Sequence, residues 1–177
     1  MPTIITHAVV PLALAVAAGP KRIPASVAVA GAALAMVPDA DVIGFGFGID
    51  YADTWGHRGA THALAFALLV TAALALIWRQ ARSPLCFAFL FLAAASHGLL
   101  DSLTDGGLGI ALLWPVDNAR YFAPFTPIRV SPIGADFFSA RGLETLVSEL
   151  AWVWLPCLAV AFGGWFWRHR QIESRPR

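Results

Sequence analysis

The chain is dominated by five apolar runs, Ile4 to Ala18, Ile23 to Val37, Ala60 to Trp78, Pro84 to Leu100 and Val147 to Trp167. Apolar residues collected in blocks of this length point to membrane helices, and a soluble domain spreads them by period instead. Only 13% of the 177 residues are charged, against about 25% in ordinary soluble domains. The length allows one domain over 1–177. At a helical rise, the third and fifth runs measure about 28 and 31 Å, enough to cross the hydrocarbon, while the first two are nearer 22 Å. The expectation is an all-α, multi-pass transmembrane bundle of about five spans. A long Pro/Gly-rich external loop, Asp101 to Leu146, holds one short helix at most.

Charge gives the orientation. Lys21, Arg22, Arg79, Arg82, Arg168, Arg170, Arg175 and Arg177 separate or follow the runs on one side, which the positive-inside rule makes cytoplasmic. Ten of the eleven acidic residues fall on or near the other side, with Glu173 the exception. A cleaved signal peptide would need its basic residues before the first run, and Lys21 and Arg22 follow it. Cys86 and Cys157 lie inside apolar runs and read as small buried hydrophobes. No basic stretch is interleaved with aromatics, so nucleic acid is not an expected partner. Membrane lipids are.

Four of the five histidines sit in polar islands at the ends of these runs, beside carboxylates. The islands are Thr6-His7, Pro38-Asp39-Ala40-Asp41, His57-Arg58-Gly59-Ala60-Thr61-His62 and His97-Gly98-Leu99-Leu100-Asp101. With five spans and a cytoplasmic C-terminus, all four fall on the external face. Imidazole and carboxylate together suit zinc and similar divalent ions, and ionisable groups at membrane depth need partners. The candidate metal ligands are His7, Asp39, Asp41, His57, His62, His97 and Asp101.

Each island also has a plainer reading. His97 and Asp101, four apart, share a helix face as joint ligands or as a helix-end ion pair. Asp105 extends that face by a turn. Pro38 ends the second helix, and its aspartates could simply cap a turn. Arg58 is a substrate clamp or a counter-charge. Glu149, inside the fifth run, is a second-tier ligand or general base, and with Asp105 a candidate for proton handling. Gly44-Phe45-Gly46-Phe47-Gly48 follows no strand and reads as flexible loop.

In order, Thr-His, Pro-Asp-x-Asp, His-Arg-Gly-x-Thr-His, Ser-His-x-x-x-Asp and Trp-Pro resemble the membrane-bound metal-dependent hydrolase family. Its members are also described as LexA-binding, inner-membrane-associated hydrolases. The resemblance runs from about His7 to Glu149. It implies a distant kinship with zinc-dependent phospholipase C and the S1/P1-type nucleases, and a metal site at the seven positions named. The expected activity is metal-activated water attacking a phosphoester or other ester, on a lipid-like substrate, with zinc first among divalent ions. The alternatives are a metal- or proton-handling transport protein and a non-catalytic regulatory membrane protein.

Overall fold

The structure is a computed structural model that describes residues 1–132 and 134–173. Among them it is all-helical with no strand; only two isolated bridges occur, Thr104 to Ile128 and Ile110 to Tyr121. The helices are α1 (Ile4–Ala18), α2 (Ala25–Leu34), α3 (Leu64–Ile77), α4 (Pro84–Ser102), α5 (Ala140–Glu149) and α6 (Leu155–Glu173). Arg175 and Arg177, part of the basic set used for orientation, lie outside the described residues.

Local chemistry explains most boundaries. α1 stops at Gly19, whose φ of 86° is open to glycine at little cost. α4 starts with Pro84 at its first position and Ser83 as cap, the Ser83 hydroxyl accepting from the Cys86 N–H at 3.2 Å. α5 runs into a π-helical turn, Leu150–Trp154, and then into α6. Pro156 cannot donate to the carbonyl four residues back and would collide with it, and the π-turn lies directly upstream.

The expected spans are redrawn. Three helical stretches are long and apolar enough to cross a membrane: Ala25–Phe47, Pro84–Ser102 and Ala140–Gln171. Ile4–Ala18 and Leu64–Ile77 are apolar but shorter. The second run is longer than expected because the chain does not leave the helix at Pro38. It tightens into an eleven-residue 3-10 helix, Val37–Phe47, which also absorbs most of the glycine-phenylalanine segment expected to be loop. The third run is shorter, because residues Ala60–His62 form a separate 3-10 turn and Trp78 is extended. The expected loop ends early. Proline is absent after Pro132 until Pro156, so Gly134–Phe137 forms a 3-10 turn and α5 begins at Ala140.

α1 packs chiefly against α6 and α2, and α4 against α3 and α2. Short connections make α1/α2 and α3/α4 antiparallel pairs. The start of α1, the end of α2, the approach to α3 and the end of α4 therefore meet at one end of the bundle. At the other end Ala15, Ile23, Val27, Ala81, Cys86, Phe89 and Leu90 form a buried apolar cluster. Lys21, Arg22, Arg79 and Arg82 are exposed around it, and the Arg168 guanidinium donates to the Ala17 carbonyl. Large apolar side chains such as Leu69, Leu76, Ile77, Phe162 and Trp167 face outward, as a chain embedded in lipid requires.

Candidate metal centre

All seven candidate ligands lie at the end of the bundle opposite the basic residues. Each arrives from a different local geometry. His7 is in the first turns of α1, and Asp39 and Asp41 are on the 3-10 helix that prolongs α2. His57 is in the loop before α3, and His62 ends the Ala60–His62 turn. His97 and Asp101 are one turn apart near the end of α4. Gly98 lets α4 approach that turn: a Cβ there would stand 2.5 Å from the His62 carbonyl oxygen.

The inner group is Asp39, His62, His97 and Asp101, all buried. His97 Nε2 lies 3.0 Å from His62 Nε2 and 3.4 Å from Asp39 Oδ1, and His62 Nε2 lies 3.5 Å from Asp101 Oδ2. Ligand atoms around a tetrahedral zinc at 2.0–2.1 Å sit about 3.4 Å from one another. His7 joins from the side. Its Nε2 is 3.4 Å from Asp101 Oδ1 and 4.0 Å from Asp39 Oδ2, and its ring stacks on His97 at 3.8 Å.

The surrounding bonds fix which nitrogens face inward. His97 Nδ1 donates to the Ala35 carbonyl at 2.7 Å, which leaves Nε2 free for the centre. His62 Nδ1 faces Asp41 Oδ2 at 3.3 Å, again leaving Nε2. Asp41 also pairs with His57 Nδ1 at 2.7 Å and accepts from the Thr61 hydroxyl at 2.7 Å. Asp41, His57 and His62 form a second group of metal-ligand type, sharing His62 with the first.

The inner group does not satisfy itself. Both nitrogens of His7, both oxygens of Asp39, both oxygens of Asp101 and Arg58 Nε are buried without a hydrogen-bond partner. Unpartnered buried carboxylates are expensive, and native proteins rarely keep them. Three carboxylates face one guanidinium here, and a divalent cation could balance the charge as well as the missing bonds. The donor set fits zinc and its neighbours.

The remaining sequence candidates sit differently. Arg58 is completely buried, with φ 66°, and its guanidinium is used within the protein. One Nη donates to the Gly106 carbonyl, the other to Thr104 Oγ1 at 2.8 Å, and Nε faces Asp101 Oδ2 at 3.4 Å. That is the counter-charge reading and not the substrate clamp. Gly107 leaves room for this guanidinium: a Cβ there would stand 2.5 Å from its Nη1. Asp105 is not on the His97–Asp101 face, because α4 ends at Ser102. It is exposed, paired with Arg129 at 2.7 Å and accepting from the Val130 N–H at 2.8 Å. Burial pushes its carboxyl up, but those two donors and the nearby cationic charge together outweigh this and hold it below the usual carboxylate range. Glu149 is buried but bonded to Thr3 and Thr6.

Several supporting residues went unread in the sequence. Thr61 and Thr104 are bonded to site residues, and Arg120 ties the His57 loop by donating to the carbonyls of His57, Tyr51 and Asp53 at 2.9, 3.1 and 2.9 Å. Arg120 and Arg129 are, with Arg141, the cations of a proline-rich stretch that also holds five acidic residues, and that was the available signal.

Comparison with known proteins places this geometry in a lineage. Residues 1–171 match the family described as YdjM inner membrane protein. The chain is similar to the inner membrane protein YbcI of Escherichia coli (strain K12), with 44% identity over 174 residues, covering 96% of this chain and 100% of that protein. No solved structure matches.

Proposed function

The chain belongs to the YdjM inner membrane protein family, and from that premise we propose that it is a membrane-bound, metal-dependent hydrolase. The observation that carries this reading is the set of buried, unpartnered His7, Asp39 and Asp101 atoms beside the inward-facing Nε2 of His62 and His97. These five residues hold the ion, with zinc first among divalent ions. A divalent ion held there supplies Lewis acidity and a water acidic enough to ionise near neutral pH. Asp41 keeps the Nδ1 protons of His57 and His62 in place, and the Ala35 carbonyl keeps that of His97. Arg58 holds Asp101 at a fixed angle from behind. Burial of the cluster keeps bulk water from it and strengthens its electrostatics.

The substrate class is a phosphoester or other ester, lipid-linked by virtue of a centre set at one end of a membrane bundle. α1 and α3 complete five crossings with the three longer helices, the shorter pair thinning the bilayer locally. The basic residues at the opposite end make that end cytoplasmic, so the centre faces the periplasmic side. A transport path would need polar groups continuing toward the basic end. The buried residues there, from Ala15 to Leu90, are apolar, and this favours the hydrolase over the transporter.

The test uses full-length protein purified in detergent. Elemental analysis and a panel of phosphoester and phospholipid substrates, with chelator and zinc add-back, are compared between wild type and His97→Ala. Bound zinc and chelator-sensitive hydrolysis in wild type, both lost in folded His97→Ala, are expected. Hydrolysis that survives in a folded, metal-free variant sinks the reading.

A further inference from the structure

Glu149, the last residue of α5, is 1% exposed, and the metal cluster does not use it. Every bond it makes goes to the start of α1. Its Oε1 accepts from the Thr3 N–H, and its Oε2 accepts from the Thr3 and Thr6 hydroxyls, each at 2.7 Å. α1 lacks the usual means of closing its own N-terminus. Its cap residue Thr3 makes no side-chain cap bond, and its first turn carries no acidic residue. Glu149 supplies both the acceptor and the negative charge that a helix N-terminus favours, from far along the chain.

The Thr6 hydroxyl has a second anchor, accepting from Trp154 Nε1 at 2.8 Å. Glu149 and Trp154 are five residues apart, which in an unbroken α-helix separates them by about 140° around the axis. A π-turn closes i to i+5 and brings such residues onto one face. The segment between them, Leu150–Trp154, is that π-turn. The next residue after Thr6 is His7.

We propose that the π-turn and the Glu149–Trp154 pair form a latch on the first turn of α1 that sets the position of His7, making Glu149 a positioning residue and not the general base. The coupling to ion binding rests on the metal reading above; the latch itself does not. Gln at 149 can still accept from the Thr3 N–H and bond the threonine hydroxyls, whereas Ala cannot.

The experiment measures three quantities on the full chain in detergent micelles, one of them the chelator-sensitive hydrolysis defined above. Amide hydrogen exchange over residues 3–7, without metal, reports the latch. Titration with Co²⁺ alone reports the centre, by affinity and absorption spectrum. The variants are Glu149→Ala, Glu149→Gln, Thr6→Val and Trp154→Phe, with His7→Ala as reference; Glu149→Gln, Thr6→Val and Trp154→Phe are conservative enough to report if Glu149→Ala fails to fold. Exchange over residues 3–7 should rise in Glu149→Ala, Thr6→Val and Trp154→Phe. Co²⁺ affinity should fall about 10- to 100-fold in Glu149→Ala, as expected for a group that orients a ligand. The same loss is expected in His7→Ala, the two being non-additive when combined. Glu149→Gln should stay close to wild type in both. Unchanged exchange in the latch variants overturns the latch. Raised exchange with unchanged Co²⁺ affinity overturns the link to His7. Glu149→Gln that keeps its metal but loses hydrolysis overturns the positioning role in favour of a base. A wild type that takes up no Co²⁺ sinks the hydrolase reading, while the exchange comparison still decides the latch.

Discussion

The two ends of the bundle are buried by opposite means. At the basic end, Ile23, Val27, Phe89 and Leu90 pack with small residues, and nothing there needs a partner beyond contact. At the other end the buried side chains include His7, Asp39, Arg58, His62, His97 and Asp101, and seven of their polar atoms have no hydrogen-bond partner. Apolar burial stabilises by area, without direction. Polar burial costs free energy unless geometry is completed. One end is complete in itself, while the other has unmet polar atoms that an ion could complete.

The largest effect expected is at the polar end. Asp101→Ala removes two ligand oxygens and leaves the Arg58 guanidinium buried beside no carboxylate. Bound zinc should fall to background by elemental analysis, and the metal-free fold should lose about 3–5 kcal/mol, read from denaturant titration in detergent. Zinc retained at wild-type stoichiometry would erase the contrast between the ends. Leu90→Ala is the matching cut at the apolar end, where Leu90 is wholly buried. It should cost about 2–5 kcal/mol while metal content stays unchanged. Gly98→Ala sharpens the comparison, since its added Cβ must displace the His62 carbonyl. A loss of about 1–3 kcal/mol is expected, accompanied by weaker metal binding. The smallest effect belongs to Asp105 and Arg129, whose guanidinium side chain is 60% exposed. Because the Asp105 carboxyl is held below its ordinary range, its contribution is present above the unfolded-state pKa. It disappears as pH falls through the folded-state value. Discounted for solvent screening, Asp105→Asn should cost under about 1 kcal/mol at pH 7 and nothing at strongly acidic pH, by thermal melts.

Residue type and order carried much of the centre. Histidines and aspartates at the ends of apolar runs on one side have to converge if neighbouring helices are antiparallel, and the seven candidates do. Extrapolation beyond a helix end was less secure. Asp105 was placed one turn past Asp101, but a periodic face exists only while the helix does, and α4 stops at Ser102. Arg58 could be recognised as the lone cation of its island. The direction it points depends on a left-handed backbone and on Gly107, neither of which shows in composition. Glu149 stands out as a carboxylate in an apolar run, but its partners Thr3 and Thr6 lie at the far end of the sequence. The span lengths erred because hydropathy does not register where a helix tightens to 3-10 at Pro38 or widens to π before Pro156.

The tightened segment Val37–Phe47 governs how the two aspartates divide their work. At three residues per turn, Asp39 and Asp41 point about 120° apart around the axis, and one meets Nε2 of His62 while the other meets Nδ1. At 3.6 residues per turn the separation would widen to about 160°, and each residue would advance 1.5 Å instead of about 2.0 Å. The overwound stretch thus narrows the angle between the two carboxylates so that a single imidazole meets one at each nitrogen, which makes helical pitch a determinant of the centre's acid–base character.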